Sequence, residues 1–117
     1  MQLTEVAYPE GTPVDGYGPG FFRVAGDVIH GPVAILPGAV TAWAGYDDHS
    51  IFTAAAAHID VLFVGTGAEI AHPPAAFRTA LEAAGLGVEI MNSPSACRTY
   101  NVLLSEGRRI GLALIPV

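Results

Sequence analysis

The second half of the chain opens on Val61-Leu62-Phe63-Val64-Gly65-Thr66-Gly67. Asp60 leads into residues 61–64, which are apolar at every position. A strand with one face in water alternates apolar and polar residues; a run without alternation suits a strand buried on both faces, in a sheet covered by helices. Gly65-Thr66-Gly67 then ends the run sharply. Downstream, Pro73-Pro74 opens a helix, because proline in the first turn lacks only a donor that would be unpaired anyway. Phe77, Leu81 and Ala84 share one face at helical spacing, and Gly85 stops it. Gly87–Met91 reads as a strand. Ser93-Pro94 reads as an N-cap followed by proline at the first helical position, opening a helix through Tyr100, Leu103 and Leu104 that stops at Gly107. Ile110–Ile115 is a second unalternating apolar run, ended by Pro116. The order is strand, helix, strand, helix, strand, with residues 61–64 and 110–115 expected at the centre of a sheet layered against helices.

Upstream of Asp60 the chain is mostly β. Ile51–Ile59 is Ala-rich and reads as a short helix with Asp48 or Ser50 as N-cap. Val33–Leu36, stopped by Pro37-Gly38, and Ala39–Trp43 read as strands. Phe21–Val24 and Val28–His30 flank Ala25-Gly26-Asp27 as a hairpin. The first twenty residues, rich in Gly and Pro, read as extended chain with turns. The expectation is one α/β domain over residues 1–117, with a mixed sheet backed by two to three helices.

Composition excludes several function classes. Net charge is −6, and the basic residues are five arginines with no lysine. Nucleic-acid binding and basic membrane-surface binding both rest on Lys/Arg, so neither is expected. No apolar stretch reaches the ~20 residues that span a bilayer, and the N-terminus resembles neither a signal nor a transit peptide. Cys97 is the single cysteine, so no internal disulfide forms. These features point to a soluble, cytoplasmic protein. Hydrophobic residues make up 51% of the chain and charged ones 14%, which in a small domain leads us to expect self-association or a protein-partner surface.

Two places hold candidate chemistry. Gly65-Thr66-Gly67 leaves a buried strand where open α/β sheets bind ligands; its N–H groups and the Thr66 hydroxyl suit an anion. It matches neither a dinucleotide-binding loop nor a P-loop, and a tight turn needing glycine explains it equally. Asn92–Asn101 is the densest polar cluster, at a helix start whose free N–H groups and dipole favour anions. Ser93, Arg98 and Asn101 are its candidate ligand residues, with Arg98 otherwise the ion-pair partner of Glu82 or Glu89. Cys97 beside Arg98 is either an activated thiol or, more commonly, packing. His30, His49, His58 and His72 lack zinc spacing, so no metal is expected, and no cofactor motif or catalytic set appears. Trp43 is either core or an interface anchor.

Gly31–Pro37 (GPVAILP), Trp43, Val61–Gly67 (VLFVGTG) and above all Ala96–Pro116 (ACRTYNVLLSEGRRIGLALIP) resemble the Mth938-like family, a domain of unknown function found in bacteria and archaea. They are similar too to the mitochondrial complex I assembly factor 3 of eukaryotes. The resemblance covers nearly the whole chain; 47–57 is its least familiar part. It implies a compact α/β domain and a role in assembling or maturing respiratory or membrane complexes, and it carries over no catalytic residue. Two functions follow as expectations: a non-enzymatic binding or assembly factor, or a small-molecule anion site, enzymatic or not, between Gly65-Thr66-Gly67 and the Ser93–Asn101 helix start.

Overall fold

The computed structural model describes residues 11–117. Its centre is the expected pair of apolar strands. β1 (Val14–Gly18), β2 (Phe21–Val24) and β3 (Asp27–His30) precede β4 (Val33–Leu36) and β5 (Ala39–Ala42). Then come α1 (Ser50–Thr53), β6 (Val61–Thr66), α2 (Ala75–Ala83), β7 (Gly87–Met91), α3 (Ser93–Ser105) and β8 (Ile110–Ile115). A five-stranded mixed sheet has the order β5-β4-β8-β6-β7, and β1-β2-β3 form a separate antiparallel sheet. β6 runs parallel to β7 and β8, while β4 is antiparallel to β5 and β8.

Both faces of the large sheet are covered, which is why β6 and β8 need no polar alternation. Phe63, Ile110, Leu112 and Leu114 pack against α3 (Ala96, Cys97, Tyr100, Leu104) and against Val14, Phe22 and Val24 of the small sheet. Leu62, Val64 and Ala113 face the opposite way, onto Phe52, Phe77, Leu81 and Trp43. Each such Leu, Ile or Phe taken fully out of water contributes about 1.5–3 kcal/mol. That burial on two faces sets β6 and β8 as the centre. The connection β6–α2–β7 moves one way across the sheet on one face; β7–α3–β8 moves back on the other. Reversing both direction and face keeps the same hand, as the right-handed crossover rule requires.

Three local expectations need correction. The expected turns at the start of the chain fall partly on residues 1–10, outside the described residues; within 11–20, Val14–Gly18 is a strand. Helix 51–59 is only Ser50–Thr53. Beyond it Ala55, Ala56 and His58 donate to carbonyls three residues back, a tighter winding than an α-helix. β6 continues two residues past Val64, because Gly65 and Thr66 pair with Leu114 and Ile115 of β8. The β2–β3 turn is Ala25-Gly26, both at positive φ (54° and 83°), the pairing that a type I′ hairpin demands.

Candidate functional site

The carboxyl end of β6 meets the start of α3 at a close contact that only glycine allows. A Cβ on Gly65 would lie 2.7 Å from the Ser93 hydroxyl and 2.8 Å from the Ser93 Cα. Ser93, fully buried, uses this proximity to tie three elements. Its Oγ accepts from the Gly67 N–H at 2.8 Å and donates to the Ile115 carbonyl at 2.5 Å. Its own N–H donates to the Gly67 carbonyl at 2.8 Å. Ser93 is therefore not the N-cap. Asn92 is: its Oδ1 accepts from the Ser95 N–H at 2.8 Å, and Pro94 sits one position further in than expected. Asparagine and serine cap helices equally well, so composition alone does not choose between adjacent candidates.

The donors that an anion would use are spent inside the chain. At the α3 start, Ser93 N–H goes to Gly67, Pro94 has none, Ser95 N–H goes to Asn92 Oδ1, and Ala96 N–H goes to the Asn92 carbonyl at 2.9 Å. The Thr66 hydroxyl donates to the Glu69 carbonyl at 2.8 Å, with the Met91 carbonyl at 3.3 Å, and accepts from the Ala71 N–H at 3.0 Å. The structure thus brings Gly65, Thr66, Gly67 and Ser93 together as an internal polar joint, and it separates Arg98 and Asn101 from them.

Arg98 and Asn101 face β1 instead. The Asn101 carboxamide makes two bonds to Val14, accepting from its N–H at 2.9 Å and donating to its carbonyl at 2.8 Å. Beside this pair lies a cavity of about 260 Å³ lined by Asp15, Gly16, Tyr17, Pro94, Cys97 and Arg98. Arg98 is exposed and reaches the Ser95 hydroxyl at 3.5 Å. Its expected partner Glu82 is paired with Arg78 at 3.0 Å. Cys97 is 4% exposed, and burial pushes its thiol up to about 12, so it stays protonated and packs. Trp43 is 3% exposed, its indole N–H bonded to the Asp48 carbonyl at 2.8 Å and its ring edge-on to Tyr46 and Phe52. As an interface anchor it is misplaced; it is core. A second cavity, about 310 Å³, lies beside Ile70, His72 and Ile90, where Arg78 is already held by Glu82 and the Val88 carbonyl. Among the described residues no three His, Cys, Asp or Glu side chains gather as a metal site. No helix among them is long and apolar enough to cross a membrane.

Residues 14–115, from β1 to the last residue of β8, match a family described as a protein of unknown function (DUF498/DUF598). The chain belongs to the DUF498/DUF598 family. An uncharacterised protein of Rhodobacter capsulatus is 49% identical over 100% of this chain and 94% of its own length. The NADH dehydrogenase [ubiquinone] 1 alpha subcomplex assembly factor 3 of Rattus norvegicus is 33% identical over 99% of this chain. This DUF498/DUF598 chain spans 66% of the rat protein and 60% of the human one. Among solved structures, a Bartonella henselae outer membrane protein superposes with a TM-score of 0.83 at 30% identity, covering 93% of this chain and 98% of that one. A Bordetella pertussis protein, a Mth938-like domain, gives 0.76 at 29%, covering 99% and 92%. The mixed α/β architecture is therefore that of the Mth938-like fold.

Proposed function

We propose that this chain is a non-enzymatic assembly factor, acting by protein contact during the building of a respiratory NADH dehydrogenase or a related membrane complex. The observation that carries this reading is the likeness to assembly factor 3 over 99% of the chain. Such an alignment takes in both faces of the large sheet and all three helices rather than one local motif. The geometry supports it from another side. The most polar part of the chain, around Ser93, is consumed in internal hydrogen bonds, while Tyr17, Val28, Ile70 and Val102 stand exposed on several elements. A net charge of −6 suits contacts with protein rather than with nucleic acid. The test is cross-linking of the full chain in its native cell, followed by identification of what it holds. Subunits of an NADH dehydrogenase or its assembly intermediates are the expected catch; recovery of only metabolic enzymes or of nothing reproducible refutes the reading.

A further inference from the structure

Among the described residues, the outer edge of β1 carries one unfilled rung. Gly18 lies opposite Phe21 across the two-residue turn Pro19-Gly20, and Val24 lies opposite Asp27 across Ala25-Gly26. Pairs that close two-residue hairpin turns exchange both backbone hydrogen bonds, and along an antiparallel ladder bonded and non-bonded pairs alternate. In the middle strand, β2, Phe21 and Arg23 therefore spend their backbone groups on β1, while Phe22 and Val24 spend theirs on β3. It follows that Val14 and Tyr17, opposite Val24 and Phe22, turn their N–H and C=O away from β2, to the open edge. The register shift between Val14 and Gly16 accounts for the three-residue step between them.

Val14 bears out this phase, since both its backbone groups are bonded to Asn101 of α3. The carboxamide does there what one residue of a neighbouring strand would do. No side chain among the described residues does the same for Tyr17, which lines the cavity of about 260 Å³ between β1 and α3. That groove has one charged residue on each wall, Asp15 on β1 and Arg98 on α3. The Asp15 carboxylate is turned to the Gly26 N–H at 3.3 Å. Arg98, across from it on α3, has no carboxylate within ion-pair distance among the described residues, unlike Arg78 and Arg109.

The geometry points to an edge-strand docking site: an extended acidic peptide segment of a protein partner adds to β1 at Tyr17, beside α3, with a carboxylate on Arg98. An open main-chain rung asks for extended backbone, as in peptide recognition by strand addition. The uncompensated guanidinium asks for a carboxylate. This deepens the protein-contact reading above by naming a surface and the chemistry of its partner, and it is tested without any assembly assay.

The probe is an end-blocked peptide, Thr-Val-Glu-Val-Glu-Val-Thr, with its Gln-for-Glu counterpart, titrated to millimolar concentration into the ¹⁵N-labelled full chain. Shifts confined to the amides of 15–17, 98 and 101 are expected. The Glu peptide should bind about two- to fivefold tighter than the Gln peptide, the range for an exposed ion pair, and Arg98→Gln should erase that preference while leaving the shifts in place. N-methylation of the peptide's central residues should abolish binding, and it does so without touching the fold of the chain. Shifts at another sheet edge, no shifts at all, or equal binding of the two peptides overturns the inference. Any of these leaves the assembly reading standing, since a partner can dock elsewhere; loss of the assembly reading leaves a positive titration equally intact.

Discussion

Replacing Ser93 by alanine removes a single oxygen and, with it, two of the three hydrogen bonds that join β6, β8 and the start of α3. In the wild-type chain that oxygen is fully buried and bonded to Gly67 N–H at 2.8 Å and to the Ile115 carbonyl at 2.5 Å. Ser93→Ala strands the Gly67 N–H in a buried position, a cost of about 1–3 kcal/mol. The Ile115 carbonyl belongs to a partly exposed residue and recovers some water, so it adds less. The sum is about 2–3 kcal/mol, set against a total stability of about 5–15 kcal/mol for a domain. At about 4–6 °C per kcal/mol for a chain of this length, Tm should fall by about 10–15 °C. Thermal and urea unfolding followed by circular dichroism measure it, with an unchanged urea slope showing that the unfolded state is not the cause. Ser95→Ala is the control: the same chemical change two residues on, at a partly exposed hydroxyl, should stay within about 0.5 kcal/mol. If Ser93→Ala also falls within that range, Ser93 is not the joint described.

Three other perturbations have signs fixed by the structure. Gly65→Ala drives a methyl into the Ser93 Cα at 2.8 Å and Leu114 at 2.8 Å, and since backbone cannot yield as a side-chain tip does, it should cost about 1–3 kcal/mol or more in urea unfolding. Ala25→Gly relieves a non-glycine residue at φ 54° and should raise stability by about 1 kcal/mol, seen as a higher urea midpoint. Burial raises the Cys97 thiol from 9.0 to about 12 and raises the Tyr100 phenol in the same direction. The folded chain therefore holds protons that the unfolded chain gives up. The stabilisation is complete below pH 9 and is lost as pH rises toward 12, so the urea midpoint should decline across that window, less steeply in Cys97→Ala.

What could be read from the sequence was what hydrophobic pattern alone dictates. Val61–Val64 and Ile110–Ile115 are short apolar runs without alternation, each ended by glycine or proline, and such runs suit strands of a sheet covered on both faces. β1 was illegible because Gly16 and Gly18 have little strand preference of their own. It is held by pairing with β2 and by Asn101, 87 residues away. The candidate site was half legible. Gly65 and Ser93 do meet, but whether the N–H groups there are free or spent depends on distances that no spacing rule supplies. Nor does Asn101 announce that it stands in for a strand; that follows only from the phase of a ladder fixed by two hairpin turns.

Assembly by protein contact is tested most directly by deleting this chain from its host and resolving the membrane extract on native gels with an in-gel NADH dehydrogenase stain. The expected result is loss of the full-size complex and accumulation of subcomplexes, restored when the wild-type chain is supplied again. A full-size, active complex at normal abundance in the deletion strain contradicts it.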